Sequence, residues 1–270
     1  MARLADRIAI VTGAGRPGNI GLAVCEAFLR EGATGVVATD MRTEDAAQIS
    51  AAFDDGYPDR FVFLEHDVTS EASWRHVLDI TQDRFNGLDV LVNNAGIAIG
   101  GGTATLPLED FRKVMAVNLD GAFLGTKLCA PAMAARARRH AGGAAIINVS
   151  SMSSYMPNGH NVAYHASKSA LRMLTMCASK ELGAQGIRVN SVHPGPIVTP
   201  LLREAFGRYA KAGMYASVED AEAQITASSP LGVTGRPEDM AHLFVYLASD
   251  EARFVTGTAV AHDGGVGTVF

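Results

Sequence analysis

Short runs of β-branched and other apolar residues alternate along this chain with longer segments in which apolar residues recur at helical spacing. Several of the short runs are almost wholly apolar, which is typical of parallel strands that are covered on both faces. Because two parallel strands need a long crossover between them, usually a helix, this alternation predicts a doubly wound sheet with right-handed crossovers. We therefore predict an α/β fold, with a parallel sheet of about seven strands and helices on both faces.

The elements can be placed from this pattern and from helix start signals. Strands are predicted at residues 7–12, 35–39, 61–66, 90–93, 145–149, 188–192 and 258–262, and helices at 20–31, 43–53, 70–85, 108–138, 161–182 and 237–248. Residues 200–229 have only a weak helical pattern and are interpreted as a mobile substrate-binding lid that folds over bound ligand. Ligands of doubly wound sheets bind at the carboxyl ends of the strands, so the functional site is expected there.

Composition limits the classes of function. With 270 residues, of which 48% are hydrophobic and 19% charged, the chain can bury a large core, and no linker or low-complexity run divides it. Residues 1–270 are therefore interpreted as one domain. The formal net charge of −5 argues against nucleic acid or an anionic membrane as partner. The basic run Arg136, Arg138 and Arg139 is interpreted as a solvated helix end.

The amino-terminal residues and the cysteines bear on the compartment. The first residues run directly into a strand, without the basic and apolar regions of a signal peptide. No apolar stretch approaches the length of about 18 residues that a membrane span needs, so we expect a cytoplasmic protein. The dispersed Cys25, Cys129 and Cys177 lie in apolar helical patterns and are predicted to be packed structural thiols, with no disulfide and no metal site.

A glycine-rich turn, TGAGRPGNIG at residues 12–21, follows the first predicted strand and opens a helix. Glycines there let the backbone approach a pyrophosphate at the helix N-terminus, although an ordinary strand-to-helix turn is the alternative. Asp40 ends the second strand, 19 residues after Gly21, where a carboxylate can accept hydrogen bonds from adenosine ribose hydroxyls and repels a 2′-phosphate. NAD(H) is therefore favoured over NADP(H). Arg16 and Arg42 are the counter-evidence, because either could pair with that phosphate.

These residues resemble the short-chain dehydrogenases/reductases, and the resemblance extends over essentially the entire chain. The family usually carries Thr-Gly-x-x-x-Gly-x-Gly after the first strand, and the glycine loop is longer here by about two residues. Gly13, Gly18 and Gly21 align best with the family's three glycines. The resemblance implies a Rossmann-type sheet that binds a nicotinamide dinucleotide.

Further motifs of the family follow the third, fourth and sixth strands. Asp67-Val68 matches residues that the family places beside the adenine ring, and NNAG at residues 93–96 matches a segment that supports the sheet and lines the cofactor cleft. HPGPIVT at residues 193–199 resembles the segment that closes over the nicotinamide. The implied cofactor-binding residues are Gly13, Gly18, Asn19, Ile20, Gly21, Asp40, Asp67, Val68, Asn94, Ala95, Gly96, Tyr164, Lys168, Pro194, Gly195, Ile197 and Thr199.

Tyr164 and Lys168 stand four residues apart in a predicted helix and so share one face. A phenol is a poor base at neutral pH, and a nearby cation can stabilise the phenolate. By itself Tyr-x-x-x-Lys occurs by chance in many helices. In the family it is the catalytic pair, and the lysine also binds the nicotinamide ribose. Ser151, thirteen residues before Tyr164, matches the serine that binds the substrate oxygen, and Asn118 matches a residue that holds a water linked to the lysine.

The resemblance implies an NAD(H)-dependent oxidoreductase that interconverts a secondary alcohol and a ketone by direct hydride transfer, without a metal. Candidate substrate contacts are Ser153, Met156, His160 and Met214, with Asn158, Asn161, Phe206, Tyr209 and Tyr215 also expected in the pocket region. The two long helices are apolar over more than one face, which predicts self-association, and the family implies a homotetramer.

Two other functions remain open. One is an NADPH-dependent 3-oxoacyl-carrier reductase of the same fold. The other is a non-catalytic NAD(H)-binding scaffold or sensor, against which the intact set Asn118, Ser151, Tyr164 and Lys168 argues.

Overall fold

The computed structural model describes residues 2–267, and its central element is a parallel sheet of seven strands. The strands are β1 (Ile8–Thr12), β2 (Gly35–Asp40), β3 (Phe61–Glu65), β4 (Val90–Asn93), β5 (Ala144–Val149), β6 (Ile187–Pro194) and β7 (Ala259–His262). Their order is β3-β2-β1-β4-β5-β6-β7, and every neighbouring pair is parallel. The order reverses between β1 and β4, which creates a crevice at the carboxyl ends of these two strands. The predicted α/β fold and strand number are confirmed.

Nine helices are found in the described part of the chain. They are α1 (Ile20–Arg30), α2 (Ala46–Gly56), α3 (Glu71–Phe85), α4 (Leu108–Met115), α5 (Gly121–Arg136), α6 (Val162–Leu182), α7 (Pro200–Lys211), α8 (Val218–Ser228) and α9 (Pro237–Ala248). The prediction of one continuous helix over 108–138 is wrong, because a π-helical turn, Ala116–Asp120, separates α4 from α5. The weakly patterned segment 200–229 forms α7 and α8, which pack against each other.

The core lies on both faces of the sheet, as the apolar strands require. In β1, Ala9 and Val11 face a cluster that includes Phe28 of α1 and Phe244 of α9. Ile10 faces the opposite cluster, which includes Trp74, Met133 and Leu182. Because side chains alternate along a strand, one short run of apolar residues supplies both halves of the core. The sheet is thereby fixed from two sides, and its carboxyl edge is held in place.

Two surface predictions from the sequence are wrong. Arg136 is only 9% exposed and forms two hydrogen bonds with the carboxylate of the fully buried Asp89, both at 3.0 Å. Cys25 and Cys129 are buried as predicted, but Cys177 is exposed on α6. Over residues 2–267, the helices include none with the length and apolar character that crossing a membrane requires.

Candidate active site

Two adjoining cavities open at the carboxyl ends of the strands. The first, of about 400 Å³, runs from the glycine-rich turn past Asp40 to the end of β4 and is called the dinucleotide cleft below. The second, of about 630 Å³, lies between the end of β5, the start of α6 and helices α7 and α8, and is called the substrate cavity. Both are lined by Ile20, Asn94, Gly96, Ala98, Thr199 and Leu201. A ligand in one can therefore reach a ligand in the other.

The floor of the dinucleotide cleft is a close approach of backbones that only glycine permits. Gly13 has φ +69°, and a Cβ there would lie 2.7 Å from the Cα of Ala95. A Cβ on Gly21 would lie 2.6 Å from the carbonyl oxygen of Gly13. Asn94 braces the same turn, since its Nδ2 donates to the carbonyl oxygens of Thr12 and Gly13 at 2.9 Å. The turn thus exposes backbone at the N-terminus of α1, as binding of a pyrophosphate requires.

Asn19 begins α1 at this turn. Its Oδ1 accepts from the backbone N–H of Leu22 at 2.8 Å, and its Nδ2 donates to the carbonyl oxygen of Gly13 at 3.0 Å. Of the implied cofactor residues in this loop, Gly13, Asn19 and Ile20 line the cleft, whereas Gly18 and Gly21 line neither cavity. Gly18 has φ +75° and serves the turn itself.

Asp40 lies at the far end of the cleft, and the backbone orients its carboxylate. Oδ2 accepts from the N–H of Gly15 at 2.8 Å, and Oδ1 accepts from the N–H of Arg42 at 3.0 Å. A Cβ on Gly15 would lie 2.5 Å from the Cβ of Asp40, so this position needs glycine. Sequence reasoning missed the role of Gly15, although the residue stood in the glycine-rich turn. The carboxylate is a fixed acceptor in a cleft wide enough for a nucleotide.

Arg16, the side chain that could favour a 2′-phosphate, is paired with a residue of α7. Its Nη1 lies 2.7 Å from Oε1 of Glu204, and both side chains line the dinucleotide cleft. This ion pair joins the glycine-rich turn to the segment interpreted as a lid. Arg42 also lines the cleft, beside Asp40.

His66 lies on the wall of the cleft next to Asp67 and Val68, which line it as implied by the family. Its Nδ1 and the hydroxyl of Thr39 are 2.9 Å apart, while its Nε2 is buried and has no hydrogen-bond partner among residues 2–267. Burial lowers the pKa of His66 to about 4, so the ring is neutral. Sequence reasoning did not single out this histidine, because its contacts come from β2 and α3.

Ser151 and Tyr164 face the substrate cavity from the end of β5 and the first turn of α6. Burial raises the pKa of the Tyr164 phenol above its ordinary value of 10, and hydrogen bonding to Ser151 opposes this effect. Ser151 Oγ also accepts from the N–H of Ser153 at 3.1 Å, which fixes the hydroxyl at the cavity wall. The structure therefore brings together the two hydroxyl groups that the sequence selected.

Lys168 lies beneath Tyr164, one helical turn along α6, and is 3% exposed. Its Nζ donates to the carbonyl oxygen of Val149 at 2.7 Å and lies 5.6 Å from the centre of the Tyr164 ring. Burial lowers the pKa of this ammonium to about 8. That this ammonium acidifies the phenol, as expected from the sequence, stays a prediction.

Asn118 lies in the π-helical turn, where the helix bulges toward the site. Its Nδ2 donates to the carbonyl oxygen of Ile97 and to Ser167 Oγ, both at 3.0 Å, and its Oδ1 accepts from the N–H of Ile97 at 2.8 Å. The side chain thus links the loop after β4 to α6. π-helical turns often occur at functional sites, but the sequence predicted uninterrupted helix here.

Ser150, Pro194 and Thr199 complete the surroundings of these groups. Ser150 Oγ donates to the carbonyl oxygen of Lys168 at 2.9 Å, which joins the end of β5 to α6. Pro194, Gly195, Ile197 and Thr199 line the substrate cavity, and Thr199 Oγ1 also accepts from the N–H of Leu202 to begin α7. Ala95 and Gly96 line the dinucleotide cleft.

The four candidate substrate contacts, Ser153, Met156, His160 and Met214, all line the substrate cavity. Two histidines that the sequence did not single out fix the loop that carries three of them. His165 Nδ1 and the carbonyl oxygen of Ser153 are 2.8 Å apart, and its Nε2 accepts from the N–H of Asn158 at 3.3 Å. His193, which is buried in β6, lies 3.1 Å from the carbonyl oxygen of Ser151 and 2.8 Å from Ser154 Oγ.

The described residues include no group of three or more histidine, cysteine, aspartate or glutamate side chains arranged to hold a metal ion. A dinucleotide, by contrast, fits the cleft. The glycine floor offers backbone to a pyrophosphate, and Asp40 offers a carboxylate to a ribose.

Comparisons with known proteins agree with this geometry. A family model described as enoyl-(acyl carrier protein) reductase matches residues 13–267. The NADP-dependent (R)-specific alcohol dehydrogenase of Lentilactobacillus kefiri is 38% identical over 265 residues, which are 97% of each chain. The trans-4-hydroxycyclohexanecarboxylate dehydrogenase of Sinomonas cyclohexanicum is 34% identical, over 97% of this chain and 93% of its own.

The crystal structure of levodione reductase matches with a TM-score of 0.89 and 28% identity, over 99% of this chain and all of the other. The fold, the geometry of the site and the similarity over the full chain therefore indicate the same family. The chain belongs to the short-chain dehydrogenase/reductase family, oxidoreductases that use a nicotinamide cofactor on alcohol and carbonyl groups.

Proposed function

We propose that this protein is an NAD(H)-dependent oxidoreductase that interconverts a secondary alcohol and a ketone, with Tyr164 as the acid–base group. The observation that carries the proposal is the convergence of Ser151, Tyr164 and Lys168 on the wall of the substrate cavity, where that cavity adjoins the dinucleotide cleft. Each of the three groups has a chemical task that matches its surroundings.

Ser151 donates a hydrogen bond to the substrate oxygen and holds it near the Tyr164 hydroxyl. Tyr164 gives its proton to the oxygen during reduction and takes one from the alcohol during oxidation. A nicotinamide cofactor, when bound, would supply the hydride acceptor for the alcohol or the hydride donor for the ketone. Lys168 contributes a positive charge beneath the phenol and binds the ribose hydroxyls next to it, while Asn118 keeps the neighbouring backbone in place. Burial of the phenol favours its neutral form, which suits a group that protonates the ketone oxygen during reduction.

We propose NAD(H) as the preferred cofactor. Asp40 supports this choice, because its carboxylate lies in the cleft and would repel a 2′-phosphate. Arg16 does not oppose it, since Glu204 already pairs with its guanidinium. A relative 38% identical to this chain is named as NADP-dependent, so the preference needs a direct measurement with both cofactors.

We propose a secondary alcohol on a ring or short chain as substrate, enclosed by residues 200–229 as a lid within a single catalytic domain. The relative from Sinomonas cyclohexanicum is named for a ring-borne hydroxyl, and the cavity of about 630 Å³ accommodates such a ring. The exposed apolar side chains of Phe123, Met173 and Met176 on α5 and α6 support the expectation of a homotetramer.

The test is a screen of secondary alcohols and ketones with the purified protein, monitored by NADH absorbance in the presence of NAD(H) or NADP(H). The expected result is turnover of cyclic alcohols with a higher kcat/KM for NAD(H). Cofactor binding without turnover of any compound would instead support the scaffold or sensor function.

A carrier-linked 3-oxoacyl reductase is the second candidate, since the matching family model is described by a substrate on an acyl carrier protein, although for reduction of an enoyl group. That function predicts reduction of a 3-oxoacyl thioester with NADPH as the better cofactor. The same screen with a short 3-oxoacyl thioester distinguishes the two, because Asp40 predicts weak use of NADPH.

A further inference from the structure

Asn161 occupies the N-cap position of α6 but does not cap the helix. Asparagine is a preferred N-cap residue because its side-chain oxygen accepts from the first free amides of a helix. Here the side-chain amide Nδ2 instead donates to the hydroxyl of Tyr209 on α7. The side chain is thus directed into the space between α6 and the proposed lid.

The second polar atom of this amide is unsatisfied. Asn161 is 8% exposed, and its Oδ1 is buried without a hydrogen-bond partner among residues 2–267. Rotation of the amide by half a turn would exchange the nitrogen and oxygen, but it would still leave one of them unpaired. Because a buried amide atom without a partner is unfavourable, this position is suited to a ligand that supplies the missing hydrogen bond.

The polar side chains that line the substrate cavity include the pair Ser151 and Tyr164 and the pair Asn161 and Tyr209, besides Ser153, Asn158, His160 and Thr199. The wall around them is largely apolar and includes Met152, Met156, Leu202, Phe206, Met214 and Ile225. An apolar pocket with few polar groups fixes the orientation of its ligand through those groups.

The two pairs share one cavity. Asn161, the N-cap residue of α6, precedes Tyr164 by three residues, and all four side chains line the same cavity of about 630 Å³. A single small molecule can therefore contact both pairs at once.

We propose that Asn161 and Tyr209 form a second-oxygen subsite, which binds a hydroxyl or carbonyl group of the substrate other than the reacting oxygen. The substrate class that fits is a compact molecule with two oxygen substituents at opposite sides of a six-membered ring, such as a cyclic diol, hydroxyketone or dione. The apolar wall covers the carbon frame between them. This inference rests on the proposed secondary alcohol function, which it makes more specific.

The test compares three probes, cyclohexanol, trans-1,4-cyclohexanediol and trans-1,2-cyclohexanediol, by kcat/KM for oxidation. In the unmodified protein the 1,4-diol is the best of the three, after correction for its two equivalent hydroxyls. Tyr209→Phe lowers kcat/KM for the 1,4-diol by about tenfold, as expected for one lost hydrogen bond, and changes that for cyclohexanol less than about twofold. Asn161→Leu has the same selective effect. Tyr57→Phe, at a hydroxyl remote from both cavities, is the matched control and leaves the ratio unchanged.

Equal losses for all three probes in Tyr209→Phe would overturn the inference, because the Asn161–Tyr209 bond would then only close the lid. An unchanged ratio in both variants would overturn it as well, while leaving the proposed function intact. If the unmodified protein oxidises none of the probes and no other secondary alcohol, the proposed function itself fails, and the subsite fails with it. Thermal melting of each variant shows that the comparison is made on folded protein, and Tyr209→Phe decides the question if Asn161→Leu does not fold.

Discussion

The two ends of the same sheet differ in how their buried charges are paired. At the amino ends of the strands, Asp89 is fully buried and accepts from the N–H of Ile8 and from two nitrogens of Arg136. Arg7, also buried, donates to Asp250 and to the carbonyl oxygen of Gly143. Every charge named here has a partner of opposite sign. This end is closed.

At the carboxyl ends the buried polar groups keep unused capacity. Lys168 is buried like Arg7 and Arg136. Its ammonium donates to the carbonyl oxygen of Val149 and forms no ion pair with a carboxylate of residues 2–267. Asn161 and His66 each leave a buried atom without a partner in the described chain. A buried polar group without a hydrogen-bond partner lowers stability, and such a group is available to a ligand.

The comparison indicates which end of the sheet contributes ion pairs to stability and which end carries the candidate site. Ion pairs such as Arg136–Asp89 lie at one end of the sheet, whereas the groups that line the cavities lie at the other. Substitutions at the two ends should therefore separate the free energy of unfolding from the rate of turnover.

The largest expected effect is on turnover, at the carboxyl end. Tyr164→Phe removes only the hydroxyl, so kcat should fall by about 10³-fold, within the range typical of a lost acid–base group. The melting temperature and the dissociation constant of NADH should change little, because the ring remains in place. Steady-state kinetics with fluorescence titration of NADH measure both. Activity within tenfold of the unmodified protein would remove Tyr164 from the mechanism and abolish the contrast between the two ends.

At the amino end the expected effect is on stability. Asp89→Ala leaves Arg136 buried without its carboxylate, which should lower the free energy of unfolding by about 3–5 kcal/mol. Turnover per folded molecule should stay within about twofold, since the change lies at the opposite end of the strands. Urea denaturation measures the stability. Arg84→Ala, which removes an exposed ion pair with Asp59, is the control and should shift the midpoint little. A similar shift in both variants would contradict the closed character of this end.

At the carboxyl ends of the strands, called the open end below, Lys168→Met tests the effect of a buried ammonium that has no anionic partner. Turnover should fall by about 10²-fold, whereas the free energy of unfolding at pH 7 should rise by about 1–2 kcal/mol, since an unpaired buried ammonium is removed. Burial lowers the pKa of Lys168 from its ordinary value of 10.5 to about 8. The unfolded chain therefore holds more protons between these values, so the unmodified protein gains stability as the pH rises from about 8 to 10.5, and the advantage of the variant disappears.

Urea denaturation at several pH values checks this sign. An advantage of Lys168→Met that does not depend on pH would show that the ammonium is not the cause. Lower stability of the variant at pH 7 would show that this lysine supports the fold like the charges at the amino end.

The sequence predicted most of the fold because strands and helices follow local patterns. The apolar runs placed all seven strands within two residues of their observed ends. The break in the helix at Asn118 could not be predicted, since a π-helical turn depends on contacts with Ile97 and Ser167 that are distant in sequence. Arg136 was assigned to solvent for the same reason, because its partner Asp89 stands 47 residues away.

Within the site, motif spacing predicted Ser151, Tyr164 and Lys168, which the family carries at fixed intervals. Motif spacing did not predict which neighbouring groups contact these side chains. Asn161 and Tyr209 are 48 residues apart and meet only because α7 packs over the cavity. Gly15 could be assigned only after the carboxylate of Asp40 was located against it. Contacts between distant segments, and therefore specificity, are the part that local patterns do not contain.

A smaller effect is expected from the charge that decides between cofactors. Asp40→Asn keeps the size of the side chain and an acceptor for the N–H of Gly15, but it removes the negative charge. The ratio of kcat/KM for NADPH to that for NADH should rise by about tenfold, because less repulsion of the 2′-phosphate remains. Initial rates with both cofactors measure the ratio. An unchanged ratio would mean that the charge of Asp40 does not face the ribose.

The smallest expected effect concerns an ion pair of the open end that spans the cleft. Glu204→Gln releases Arg16, which can then pair with a 2′-phosphate, so kcat/KM for NADPH should rise by about two- to fivefold while that for NADH stays constant. Glu222→Gln is the matched control, because Glu222 of α8 pairs with Arg203 of α7 and neither residue lines a cavity. The gain should diminish at high salt, since both side chains are partly exposed.

Glu204→Gln tests whether ion pairs have the same effect on stability at both ends of the sheet. At the amino end the pairs are buried, and breaking one should cost stability. The Arg16–Glu204 pair is partly exposed, so Glu204→Gln should leave the melting temperature almost unchanged and alter only the choice of cofactor. A loss of stability like that of Asp89→Ala would mean that the glycine-rich turn and α7 are held together by charge, and the open end would then be closed by the same means as the other.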